Sequence, residues 1–411
     1  MLPLSEAWYR KLLVAALVLG VGGGVIALVY SGVTNFGIGR LYGDPTSEAW
    51  SGQWWWIPLI SGGAVLVVAL RGLWKVPEKV PGAIALAKRG WVDPSSAISL
   101  VLISAISLFV GASLGPSFGI IVGGGGLGAW IASRSSTTDT EAQHEYSLTG
   151  MGGGLGALFS APLFAAILAS EISPTAKSKY VATFIPEFTA ATIGYVIFFG
   201  VTGTVMLDAF EISGYEYETV HLLYGLLLGV LAVLTLLVQS IIGNAVRRVA
   251  ALAENRYVRA AAGGALVGLI AFALPLTATG GSKQLAYVTQ NAASLGIGLL
   301  LAVLVGKMIA ITLSQEVGFL GGTVFPILFI GGTAGIVVNG LFPDIPIALA
   351  VGAMIAAVPG AIIGAPVSFI LIAVAGVGLG VTAVAPVGIA VITAHLTVGA
   401  LKVFAETRES M

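Results

Sequence analysis

The chain has 411 residues, 57% of them hydrophobic and 9% charged, against roughly 25% charged in an ordinary soluble domain. So few charges cannot coat a water-facing surface of this size, so lipid is expected to be the solvent around much of the chain. A formal net charge of zero argues against a nucleic-acid partner, and the absence of cysteine removes disulfides, thiol catalysis and zinc–thiolate sites.

In chain order, the first apolar run, Leu12 to Val29, follows Arg10 and Lys11. It is longer than the 7–15 residues or so of a signal-peptide core and has no small-residue cleavage site, so it reads as a retained helix. Runs at 12–30, 55–71, 96–112, 182–203, 219–243, 260–276 and 291–313 approach or exceed the about 20 residues a spanning helix needs. Shorter or Gly/Pro-broken runs lie at 78–88, 116–132, 150–172, 324–340, 346–358, 366–381 and 384–404. Long runs without period-two alternation exclude a strand barrel. The expected fold class is an all-α polytopic membrane protein of tilted and broken helices.

The chain repeats itself. SLGPSFGIIVGGGGLGAW (113–130) matches GGTVFPILFIGGTAGIVV (321–338), and GALFSAPLFAAIL (156–168) matches GAIIGAPVSFILI (360–372). The paired prolines are offset by 210 residues (Pro116, Pro326) and 204 (Pro162, Pro366), which predicts two inverted-topology repeats, 10–205 and 215–405. Basic residues cluster at 10–11, 71–89, 134, 177–179, 247–259 and 402–408, whereas 31–53 and 202–220 hold only Arg40 beside Asp44, Glu48, Asp208, Glu211, Glu216 and Glu218. The positive-inside rule puts the first set and both termini in the cytoplasm of a plasma (inner) membrane protein. Lys283 and Glu316 then fall on the outer side. With seven residues after Phe404, no soluble regulatory domain is expected.

An anion inside a bilayer needs a substitute for its hydration shell. Helix starts supply one, because free N–H groups and the macrodipole favour negative charge there. Glycine lets the backbone approach the ion, and proline at the first turn needs no N–H partner. Three segments fit this pattern: Trp74-Lys75-Val76-Pro77, Ser113-Leu114-Gly115-Pro116 and Gly321-Gly322-Thr323-Val324-Phe325-Pro326. Each is expected to open an apolar half-helix.

From about residue 10 to 405 the chain resembles the CLC family of chloride channels and transporters, whose anion path is lined by the motifs G-S-G-I-P, G-R-E-G-P and G-x-F-x-P. GASLGPSFGIIVGGGGLGAW resembles the second motif and its helix, GGTVFPILFIGG the third, and LFSAPLFAAILASE the N-A-P-L helix with its acidic end; Pro77 precedes Pro116 by 39 residues, close to the family separation. The resemblance implies a homodimer with one pore per subunit and anion contacts at Trp74, Lys75, Val76, Ser113, Leu114, Gly115, Thr323, Val324, Phe325, Val403 and Phe404.

The departures bear on mechanism. The family's gating glutamate falls on Leu114 and the preceding arginine on Ser113. At the inner vestibule Glu171 matches the first of two acids, and the internal proton-transfer glutamate falls on Ile172. The serine of the first motif falls on Trp74 or Lys75, and the central tyrosine on Val403 or Phe404. Both proton-handling carboxylates and both hydroxyls are thus replaced. The expectation is passive transport of chloride or a similar small anion, not proton-coupled by the usual route. Fluoride, nitrate or a small oxyanion on the same scaffold is the alternative.

Several residues keep two readings. Lys75 supplies a fixed charge at the inner mouth or snorkels to the surface. Glu171 lines a vestibule or is a structural carboxylate near Lys177 and Lys179. Lys283 steers anions or is simply solvated, and Lys307 lines a vestibule or snorkels. Trp54-Trp55-Trp56 reads as an interfacial belt. His144, His221 and His395 match no metal-ligand spacing, and Gly123–Gly126 is not followed by Gly-Lys-Ser/Thr as in a phosphate loop; no metal or cofactor is expected. A membrane enzyme lacks a nucleophile–base pair here, and a non-transporting scaffold would pass no anion.

Overall fold

The computed structural model describes residues 4–44, 51–135, 140–173, 180–205, 210, 212, 215–292 and 294–409. Glu48, Lys177, Lys179, Asp208 and Glu211 lie outside the described residues. Among the described residues there are sixteen α-helices. Eight come before residue 203: α1 (Ala7–Tyr42), α2 (Trp56–Leu73), α3 (Ala83–Arg89), α4 (Pro94–Phe109), α5 (Ser117–Arg134), α6 (Thr140–Phe159), α7 (Pro162–Ile172) and α8 (Tyr180–Thr202). Eight follow residue 220: α9 (His221–Ala251), α10 (Arg256–Ala273), α11 (Ser282–Gln290), α12 (Ile297–Glu316), α13 (Val324–Leu341), α14 (Ile347–Ile363), α15 (Pro366–Gly376) and α16 (Val384–Glu409). Eight helices among the described residues are long and apolar enough to cross a membrane. With its 36 residues, α1 is about 54 Å long at 1.5 Å per residue, so it must tilt to fit a hydrocarbon layer of about 30 Å.

Neighbour relations recur in the same order in both sets. The helix α5 packs on α6 as α13 does on α14; α1 packs on α6 and α8 as α9 does on α14 and α16. Small residues allow the closest of these contacts. A Cβ on Gly124 would come within 2.3 Å of the Gly150 carbonyl oxygen, and one on Gly335 within 2.6 Å of that of Ala350. Helices α13 and α14 are apolar on every side and almost wholly buried, as expected of helices sheathed by other helices rather than by lipid.

The Gly/Pro-broken run at 150–172 is two helices. Ser160 takes φ +52, Ala161 is extended (φ −139, ψ 82), and Pro162 starts α7. The counterpart break is Gly364 at φ +83, Ala365 at φ −131, ψ 64, and Pro366 at the start of α15. Two expectations need correction. Pro77 opens no helix, because α3 begins only at Ala83, behind Gly82. Of the tryptophan run, Trp54 faces outward but Trp56 is buried, where it packs on Tyr42 and its indole N–H donates to the Leu41 carbonyl at 3.2 Å.

Candidate functional site

The turns before α5 and α13 meet in the protein interior. Gly115 N–H donates to the Gly322 carbonyl and Gly322 N–H to the Gly115 carbonyl, both at 2.7 Å. This reciprocal pair is an antiparallel bridge between two segments that the sequence repeat relates. A side chain on Gly322 would collide with Ser117 Oγ at 1.8 Å and the Phe118 nitrogen at 2.9 Å, whereas one on Gly115 would press on the Phe325 side chain, at 3.2 Å. Both helix starts therefore point at one place. Neither has a side-chain cap, so their first-turn N–H groups are left to whatever lies between them. Ser117, Val324 and Phe325 are buried there, and Ser117 Oγ has no hydrogen-bond partner. Phe325 stacks on Phe159 of α6, centroids 5.1 Å apart.

Two cavities approach this place from opposite faces. One, of about 640 Å³, is lined by Arg71, Lys79, Arg247, Arg256 and Arg259, with Glu78 and Glu316, and ends at Phe118, Leu320 and Gly321. The other, of about 450 Å³, is lined by Asn35, Asp44, Thr279 to Gln284 and Phe198, and ends at Leu114 and Pro116. Leu114 is 1% exposed, and a Cβ on Gly321 would lie 2.5 Å from the Leu114 Cβ. The leucine on one turn and the bare glycine on the other thus separate the two cavities.

The basic cavity is organised by Arg71, which is 7% exposed. Its guanidinium donates to the carbonyls of Gly318 at 2.8 Å and Glu78 at 2.6 Å, and to that of Pro77. Arg259 pairs with Glu78 at the rim. Glu316 belongs to this basic face, not the opposite one, because α12 ends there. Lys283 does lie on the opposite face, where it pairs with Asp44 at 3.3 Å.

Lys307 does not snorkel. It is fully buried, and its ammonium donates to the carbonyls of Thr277 at 3.1 Å and Thr279 at 2.6 Å and lies 5.3 Å from the Phe329 ring centroid. Two of its three N–H groups are thereby used. Thr279 and Gly281 line the outer cavity, and a Cβ on Gly281 would lie 3.3 Å from Lys307 Nζ. The Lys307 head group therefore stands directly behind that cavity's wall, at Gly281. The sequence signal was a lone lysine in an apolar run; which way it turned was decided by the strained Thr279 (φ +55) presenting carbonyls to it.

The other expected site residues separate into groups. Ser113 is buried, but its N–H donates to Ser314 Oγ at 3.0 Å and its hydroxyl to the Thr277 carbonyl at 3.2 Å. Thr323, Val324 and Phe325 stand at the second helix start, with Gly115 opposite. Val76 reaches the basic cavity, but Trp74 and Lys75 line a separate cleft of about 690 Å³ against α3 and the start of α4, and Lys75 is exposed. Val403 and Phe404 are 63% and 73% exposed and line neither cavity, because α16 runs unbroken from Val384 and carries them out on its far end. Glu171 caps α15: its carboxylate accepts the N–H groups of Val367 and Ser368, both at 2.9 Å, and the Ser368 hydroxyl. Ile172 is buried next to it.

Residues 63–399 match the family described as voltage gated chloride channel. An uncharacterized protein of Methanocaldococcus jannaschii is 31% identical over 207 residues, which span 48% of this chain and 49% of that one. The chain thus spans about half the length of this curated relative. Among solved structures, a slow cyanobacterial chloride/proton antiporter is similar at TM-score 0.76 and 20% identity, with 95% of both chains covered. A CLC-type fluoride/proton antiporter is similar at 0.70 and 18%, with 94% of this chain and 95% of that one covered. At these identities the structures speak to the fold, and the family match over most of the chain speaks to descent: this protein belongs to the voltage gated chloride channel family, the CLC family.

Proposed function

We propose that the chain conducts chloride or a similar small anion passively across a plasma membrane, between the basic cavity and the cavity behind Leu114. One observation carries this reading: the residue where the two cavities and the two uncapped helix starts converge is an apolar leucine. A carboxylate there could compete with an anion and carry a proton; leucine can do neither, so coupling by the usual route has no carrier at this point. Charge along the way favours anions. Five bases against two acids line the basic cavity, and Lys307 stands behind the opposite one. Such fields raise the local concentration of the ion. The N–H groups of Val324 and Phe325, with the unpartnered Ser117 hydroxyl, are the donors that would hold the ion between the helix starts.

In this reading residues 10–205 and 215–405 are two inverted repeats, the basic face and both termini are cytoplasmic, and the protein is a homodimer with one path per subunit. The test is flux from liposomes. Wild type should release chloride without moving protons against their gradient, and a trial of fluoride and nitrate ranks the anions. Leu114→Glu should make flux fall, with partial recovery at acid pH as the new carboxylate is protonated. Uphill proton movement driven by a chloride gradient in wild type would sink the uncoupled reading.

A further inference from the structure

We propose that Glu187 of α8, with Glu145 beside it on α6, is a proton-binding site reached from the basic face. Glu187 is 0% exposed, and neither of its carboxyl oxygens accepts a hydrogen bond. An ion so placed is costly, and a proton is the one partner small enough to enter without rearranging the helices. The surroundings are built around the acid. Pro186 removes the N–H that would have bonded the Ala182 carbonyl, and the Tyr9 hydroxyl donates to that carbonyl instead, at 2.9 Å. On α6, Gly152 leaves space: a Cβ there would lie 3.7 Å from the Glu187 Cβ.

Glu145 lies seven residues before Gly152, on the same face of α6. It is 2% exposed, and its field reaches both Glu187 and Tyr9. A void of about 10 Å³ bounded by Tyr9, Glu141, Glu145, Ala182 and Thr183 adjoins Glu145, with Thr183 one helical turn before Glu187 on α8; it has space for about one water. The acids therefore step inward from half-buried Glu141 to Glu145 to Glu187. The other titratable groups on the packed elements are otherwise placed. From α1, Lys11 is exposed and Arg10 donates to the carbonyls of Leu4 and Ser5. From α6, His144 stacks on Trp91 and Tyr146 turns toward Ser135. From α7, Glu171 caps α15. None of them donates to Glu187.

The site is mechanically joined to the candidate path. From Gly152, α6 runs seven residues to Phe159, about 10 Å, and Phe159 stacks on Phe325. Along that stretch α8 is seated directly on α6, Gly156 against Ala191. A change of charge at Glu187 alters that seat, so anion flux should depend on pH at the basic face. This last step rests on the anion-transport reading; the proton site does not.

The experiment has two arms on the full-length protein in liposomes. Infrared difference spectra between low and high pH should show the C=O band of a protonated buried carboxyl. The band should vanish in Glu187→Gln and persist, shifted, in Glu187→Asp. Chloride flux should vary with pH in wild type, stay level in Glu187→Gln, and move its midpoint to lower pH in Glu145→Gln, where a negative neighbour is gone. No band in wild type, or a band that survives Glu187→Gln, overturns the site. Normal band behaviour with no flux at any pH keeps the site and overturns the transport reading instead. Flux that titrates alike in wild type and Glu187→Gln overturns the link between them.

Discussion

The turns before α5 and α13 share a sequence pattern and face each other across the Gly115–Gly322 bridge, yet they differ in what they hold. The first carries Leu114 into the barrier. The second offers Gly321, with no side chain at all, and a Cβ there would come within 2.5 Å of the leucine. Two related segments meeting at one point cannot both fill it. Backbone can be duplicated there, but the filling side chain has room only once. The same asymmetry extends outward: the second set of helices buries the cation Lys307, and the first buries the carboxyls Glu145 and Glu187.

The sharpest test of this comparison is at the bridge. Gly322→Ala places a methyl 1.8 Å from Ser117 Oγ and 2.9 Å from the Phe118 backbone nitrogen, and the backbone cannot yield without breaking the paired 2.7 Å bonds. Overpacking of this kind typically costs about 1–3 kcal/mol or more, so the variant should lose monodispersity on size exclusion. Gly115→Ala meets the Phe325 side chain at 3.2–3.3 Å, a tight contact from which that side chain can give by a few tenths of an ångström, and the Gly322 carbonyl at an ordinary 3.5 Å, so it should purify much closer to wild type. Equal behaviour of the two would break the claim that the turns differ in room.

The next effect belongs to the buried cation. Lys307→Met keeps the length and removes the charge. Chloride flux should fall about tenfold, equivalent to ~1.4 kcal/mol, while Lys307→Arg retains part of it. An unchanged flux would reduce the lysine to a packing element held by Thr277 and Thr279.

How far the sequence reached follows the same division between backbone and side chain. Most helix positions and the two motif-bearing turns were legible because they depend on apolar length, glycine and proline, which act locally. The matched breaks at Ser160-Ala161-Pro162 and Gly364-Ala365-Pro366 were prefigured by the shared G-A-x-x-x-A-P. What was not legible depends on contacts far apart in sequence. Glu171 finds its partners 196 and 197 residues away. Lys307 is fixed by carbonyls of a strained turn. Pro77 looked like a helix start, but Arg71 holds that loop by its carbonyls, and the helix waits until Ala83. Val403 and Phe404 were misplaced because nothing local shows that α16 continues without a break.

Glu171 gives the third test. As a cap it contributes through the N-terminal amides of α15, and loss of such a cap costs about 1 kcal/mol. Glu171→Ala should lower the thermal midpoint by a few degrees and leave chloride flux unchanged, and Glu171→Gln should recover part of the loss. A flux defect without a stability defect would return the residue to the transport path, against its seat on Val367 and Ser368.

The smallest effect separates Lys75 from Lys307. Lys75 is exposed, lines a different cleft and holds φ +53, a conformation that costs a non-glycine residue of order 1 kcal/mol. Lys75→Gly removes a charge and relieves that strain. Chloride flux should stay at the wild-type level, and stability should rise by no more than about 1 kcal/mol, read as a thermal midpoint equal to or slightly above wild type. If flux falls as it does in Lys307→Met, charge matters by its presence on a face and not by its position. The contrast between a cation behind the cavity wall and one on the surface would then be lost.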